Sequence, residues 1–159
     1  MTPEELRRIA TETALELPQA RLTFPFGDEW EVYKVVDRMF LLLTESTGPQ
    51  MVTLKVEPRE GRALVEAYDD VIPGYHLNKT HWATILAPID EGGAATGEDD
   101  DEGADETPKR LIPAEELKEL IVSSYLLVVA NLAKKDRPVD PFVYGRAHDE
   151  RGGVERREA

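Results

Sequence analysis

Three runs rich in β-branched, aromatic and leucine residues fall between positions 31 and 56: Glu31 to Val36, Met39 to Thr44 and Gln50 to Val56. Only Asp37-Arg38 separates the first two, and the turn-forming stretch Thr44-Glu-Ser-Thr-Gly-Pro49 separates the second and third. A two-residue link joins antiparallel neighbours, whereas a parallel pair needs a crossover of a dozen residues or more. The Asp37-Arg38 gap therefore reads as a hairpin, with Arg an unfavourable choice where φ should be positive. In the third run Val52, Leu54 and Val56 share one face, and Met51, Thr53 and Lys55 share the other.

Helical patterns flank this block. Thr2-Pro3-Glu4-Glu5 is a capping box with Pro at the first helical position, and Leu6, Ile9, Ala10, Thr13 and Leu17 recur at helical spacing up to Pro18. Arg21 to Phe24 is a short strand candidate. Pro58 opens a second helix carrying Ala63, Leu64, Ala67 and Tyr68, and Ala83 to Ala87 is a further strand. The longest helix is expected over 113–133, with Glu115 and Glu116 well placed against the helix dipole. Its stripe is Leu117, Leu120, Ile121, Ser124 and Val128, and from Tyr125 to Leu132 it is apolar nearly all round. That predicts burial on more than one side, by the sheet and its neighbours or by a homodimer face; the chain is read as a monomer or a homodimer through this helix. Antiparallel strands with helices segregated from them define an α+β class.

The 159 residues suit one domain, and the absence of cysteine excludes disulfides, thiolate metal sites and a cysteine nucleophile. Acid rather than base opens the chain, and the longest strongly apolar stretch, Leu126 to Ala130, is too short to span a bilayer. A soluble cytoplasmic protein with no membrane partner is expected. The formal net charge is −13 from 32 acidic and 19 basic residues, but nine of the acids lie between Asp90 and Glu106, where no base occurs. Without them, 23 acids against 19 bases leave −4. Four glycines and mutual repulsion predict a mobile acidic insertion at about 90–107. The organisation expected is a domain over 1–135 and a partly disordered extension over 136–159, with Phe142, Val143 and Tyr144 able to dock on the domain.

Polar, aromatic and basic groups concentrate in Pro73-Gly-Tyr-His-Leu-Asn-Lys-Thr-His-Trp82, a loop opened by a Pro-Gly turn between a helix and a strand. His76 and His81 are spaced poorly for one helical face and lack a third ligand, which argues against a metal. Imidazole suits acid–base chemistry, yet no nucleophile, carboxylate pair or phosphate loop accompanies it. No catalytic residue, cofactor or metal is assigned. Two readings stay open. Tyr75 and Trp82 anchor the loop while both imidazoles bond backbone, or His76, Asn78, Lys79 and His81 present donors to a protein, peptide or small anion.

The same ten residues resemble the signature stretch of the MmcQ/YjbR family. The likeness extends through Phe24-Pro-Phe-Gly27, Val32-Tyr-Lys-Val35, Met39-Phe-Leu-Leu42, Leu54-Lys55 with Pro58, Leu117 to Leu120, Ser124-Tyr125 and Val128-Val129 with Leu132. The resemblance implies a two-layer fold of order α-β(3)-α-β(2)-α around an antiparallel sheet, and a double-wing DNA-binding protein. On that reading Lys79, Lys55 and Lys34 contact phosphates of double-stranded DNA. His76, Asn78 and His81 are then polar contacts, and Pro73, Gly74, Tyr75 and Trp82 structure the loop. The acidic insertion and the residues after Lys135 fall outside the resemblance, and a pI near 4.7 opposes simple electrostatic attraction to DNA.

Overall fold

A computed structural model describes residues 1–46, 48–74, 77–87 and 110–141. Tyr75, His76, the acidic segment and Phe142-Val-Tyr144 lie outside the described residues. Helix α1 spans Pro3–Leu15 and has both halves of its capping box: Glu5 N donates to Thr2 Oγ1 at 3.1 Å, and Thr2 N donates to Glu5 Oε1 at 3.0 Å. Its buried stripe is Leu6, Ile9, Ala10 and Ala14, continued by Leu17; Thr13 sits at the margin.

Strands β1 (Ala20–Thr23), β2 (Trp30–Val35), β3 (Arg38–Thr44) and β4 (Met51–Lys55) follow, then α2 (Pro58–Ala67), β5 (Val71–Pro73), β6 (Trp82–Leu86) and α3 (Ala114–Ala130). All strand pairs are antiparallel, in the order β1-β2-β3-β4-β6-β5. The fold is therefore α+β, with four strands before α2 and two after it. Edge strand β1 stands in addition to the three that the resemblance implies, and lies one residue earlier than the spacing predicts. Strand β5 has no counterpart among the strands read from the residues, and it changes the role of Pro73, which ends that strand instead of opening a turn.

The β2–β3 turn also shifts by one residue. Val35 pairs with Arg38, so Val36 and Asp37 are the two loop residues, both left-handed at φ 49° and 64°. Arg38 is spared that conformation and Val36 takes it, at a cost of roughly 1–2 kcal/mol for an L-residue. In this register Tyr33 stands opposite Leu41 across the Phe40 bulge, and both side chains lie in the core with Val35.

Helix α3 packs against α1 on one side and against β2, β3 and β4 on the other, which accounts for its wide apolar surface. Leu117, Leu120, Ile121, Tyr125, Val128 and Val129 meet Phe40, Leu41, Leu43, Val52 and Leu54 there. The Tyr125 ring stands edge-on to Phe40 at 5.4 Å, and its hydroxyl donates to the Pro18 carbonyl at 2.7 Å. Pairing steps from Lys34↔Met39 to Tyr33↔Leu41, so Phe40 is the extra residue of a β-bulge. The β3–β4 ladder stops at Leu41↔Leu54. At the next rung the fully buried Ser124 hydroxyl intervenes, donating to Phe40 O at 2.6 Å and accepting from Lys55 N at 2.8 Å. A helix side chain thus replaces the missing strand-to-strand bond.

On the opposite face of the sheet one row runs Thr23–Val32–Leu42–Thr53–Thr84–Ile72 across all six strands. Thr53 and Thr84 share a hydroxyl hydrogen bond of 2.7 Å. Among the described residues no helix is long and apolar enough to cross a membrane.

Candidate functional site

The segment from Pro73 to Trp82 connects β5 to β6, and its ends are held at contact distance. Gly74 N donates to Trp82 O at 2.8 Å, and a Cβ on Gly74 would stand 2.9 Å from that carbonyl oxygen and 2.7 Å from Trp82 Cβ. Backbone cannot yield cheaply to such a contact, so glycine is required for closeness. Lys79 donates through Nζ to Gly74 O at 3.0 Å, which ties the tip of the connection to its base and leaves two ammonium protons for other acceptors.

Asn78 Oδ1 accepts from Thr80 N at 2.8 Å and from His81 N at 3.1 Å, a side-chain-closed turn. Paired bonding to an adenine edge needs both amide atoms, and this oxygen is already engaged in the turn. His81 is exposed, and its backbone oxygen accepts from Val56 N at 2.9 Å, stitching the connection to the end of β4. Tyr75 and His76 stand outside the described residues, so the histidine pair is represented by His81 alone. Among the described residues no three His, Asp or Glu side chains converge as a metal site would require.

Strand alternation decides where the remaining lysines go. Tyr33, Val35, Leu54, Val56 and Ala83 all belong to the core on the helix side, so Lys34, Lys55 and Trp82 project from the other face. Lys55 is paired with Trp82, and its ammonium lies 5.3 Å from the indole centroid. Lys34, paired with Met39 beside the Phe40 bulge, lies two strands away from Lys55, at roughly 10 Å by strand spacing. Lys34, Lys55 and Trp82 therefore share one end of the face opposite the helices, half-buried at the margin of the buried Val32, Leu42, Thr53 and Thr84, with the Lys79 connection beside it. The acid of the β2–β3 turn, Asp37, is paired with Arg21 at 3.0 Å.

On the helix side of the same connection, α2 and the β5–β6 hairpin enclose a cleft of about 300 Å³. Its walls include Pro58, Val65, Pro73 and Ala83, and its charged groups are Arg62, Glu66 and Lys79. The sequence reading found Lys79 but not Arg62. Nothing in the spacing of α2 distinguishes Arg62 from other exposed helix residues; only the packing of α2 beside β5 and β6 brings it to the connection.

Farther along, Asp69 and Asp70 hold the chain that leads into α3. Asp69 Oδ2 accepts from Arg110 N at 2.9 Å, and Asp70 accepts from Ile112 N at 3.1 Å. Burial pushes the Asp70 carboxyl above the ordinary carboxylate range, against the opposing pull of the Ile112 N–H.

These features define a two-layer α+β protein with helices on one sheet face and a polar connection at the β5–β6 end. A family model for YjbR matches residues 15–127, and the chain belongs to that family. It is 33% identical over 137 residues to the uncharacterised protein YbdF of Escherichia coli O157:H7, covering 86% of this chain and 95% of that protein. It is 35% identical over 60 residues to YjbR of Escherichia coli strain K12, a match covering 36% of this chain and 51% of YjbR. The crystal structure of DR2400 from Deinococcus radiodurans, a DUF419 domain, is similar with a TM-score of 0.61 and 35% identity, covering 86% of this chain and 85% of that one.

Proposed function

We propose that this protein is a non-enzymatic DNA-binding protein that holds duplex DNA by its phosphates from the end of the sheet carrying Lys34, Lys55 and Lys79. The observation that supports the reading is the register, which sets Lys34, Lys55 and Trp82 at one end of the face opposite the helices, beside the connection that bears Lys79. Lys55, held over the Trp82 ring, and Lys79, tethered to Gly74, lose less side-chain freedom on meeting a phosphate than free lysines would. Nine of the 32 acids stand in the single stretch 90–106, and without them the chain carries a net charge of only −4. Those acids would lower affinity through longer-range repulsion, which salt screens.

Fluorescence anisotropy with a labelled duplex, titrated over a range of salt concentrations, tests the reading. Three lysine–phosphate contacts give a slope of about −2.7 in log K against log [salt], and each of Lys34→Gln and Lys55→Gln reduces it by about 0.9. Absence of binding at low salt by folded protein overturns the proposal, as does a slope that neither substitution changes.

A further inference from the structure

The cleft between α2 and the β5–β6 connection shares only Lys79 and Trp82 with the nucleic-acid reading, and we infer that it binds a small organic carboxylate with an apolar body. Its volume of about 300 Å³ matches the lower end of ligand pockets. Apolar walls from Pro58, Val65, Pro73 and Ala83 surround two bases, Arg62 and Lys79, and one acid, Glu66. Among the described residues neither Arg62 nor Lys79 makes an ion pair within 4.0 Å, so no described carboxylate neutralises this pair of bases directly. Arg62 offers a planar fork of donors suited to a carboxylate, and Lys79 keeps two protons beyond the one given to Gly74 O.

Both walls are built rigidly. Pro58 begins α2, and Gly61 brings that helix so near the end of β4 that a Cβ there would stand 2.9 Å from Val56 Cγ2. The facing wall is fixed by Gly74 N to Trp82 O at 2.8 Å and Val56 N to His81 O at 2.9 Å. A pocket preorganised in this way spends little binding energy on ordering itself. A purely inorganic anion would leave the apolar walls unused, while an uncharged ligand would leave both bases unmet, so the chemistry favours a molecule with both features.

The probe is N-acetyl-L-phenylalanine, titrated into isotope-labelled full-length protein and followed by amide and indole NMR shifts. The expected result is saturable shifts confined to α2 and to residues 73–83, with N-acetyl-L-phenylalaninamide binding about tenfold more weakly. Arg62→Gln should weaken the carboxylate by a similar factor and leave the amide unaffected, while Lys34→Gln changes neither. Lys79→Gln also removes the bond to Gly74 O, so Arg62→Gln is the deciding variant. Equal binding of the acid and its amide overturns the inference, as does equal binding by wild type and Arg62→Gln. Absence of shifts at tens of millimolar probe does so too. Arg62 plays no part in the DNA reading, so the two can fail separately.

Discussion

Removing the Ser124 hydroxyl should expose how far the sheet depends on α3. In Ser124→Ala the buried Phe40 carbonyl and Lys55 N–H both lose their partner, at 2.6 and 2.8 Å respectively. A buried backbone group left unsatisfied costs about 1–3 kcal/mol, so two give about 2–4 kcal/mol once partial relaxation is allowed. Direct closure of Lys55 N–H onto Phe40 O would recover part of this, but the bulge at Phe40 bends β3 away from regular pairing. Against a total stability of about 5–15 kcal/mol the loss is large. Urea unfolding should show a lower midpoint at an unchanged m-value, because the surface exposed on unfolding is nearly the same. At roughly 3 °C per kcal/mol for a protein of this size, thermal unfolding should fall by about 6–12 °C. The Lys55 amide should also exchange faster than its neighbours. Ser123→Ala, on the exposed side of the same helix, is the control and should be neutral or slightly stabilising through helix propensity. A loss below about 0.5 kcal/mol in Ser124→Ala would refute the idea that its hydroxyl substitutes for a sheet bond.

Gly74→Ala should destabilise by about 1–3 kcal/mol, since its methyl would meet the Trp82 carbonyl at 2.9 Å; urea unfolding measures it, and a neutral result would show that the hairpin base is not tight. Asp70 supplies a pH dependence. Its folded-state pKa is raised by burial, so the folded chain binds more protons than the unfolded one. Its contribution to stability is therefore fully present below the unfolded value of 3.8 and is lost as pH rises through the folded value. Asp70→Asn keeps an acceptor for Ile112 N–H without a charge, and should be at least as stable as wild type at neutral pH, with a flatter acid-limb profile in thermal unfolding. A marked loss of stability at neutral pH would instead mean that the ionised carboxylate is needed to hold residues 110–112.

Much of the framework was legible because local chemistry and packing agree. The Thr2 capping box, the Pro58 helix start and the Val52-Leu54-Val56 face all reappear in the fold. Strand β5 was not legible: three residues ending in proline are too short to show alternation, and they gain strand geometry only by pairing with β6. The β2–β3 turn was misplaced by one residue because turn preference disfavours Val at positive φ, yet in the fold Val36 takes that conformation and Arg38 pairs with Val35. The 73–82 stretch stood out through its composition, but its residues divide on folding: Asn78 serves the turn, Trp82 supports Lys55, and Lys79 both braces the hairpin and enters the cleft.

By itself the sequence determined the antiparallel block, the helix capped by Thr2, the concentration of negative charge and the polar connection near its centre. Each rests on neighbours in the chain: turn length, capping, spacing and local charge density. Only the tertiary structure decided that β6 pairs between β4 and β5, that Ser124 completes the β3–β4 ladder, and that Arg62 faces Lys79's connection across a cleft. Those outcomes join residues distant in sequence, and they follow from burying one continuous core with its backbone groups satisfied, a condition that no local window contains.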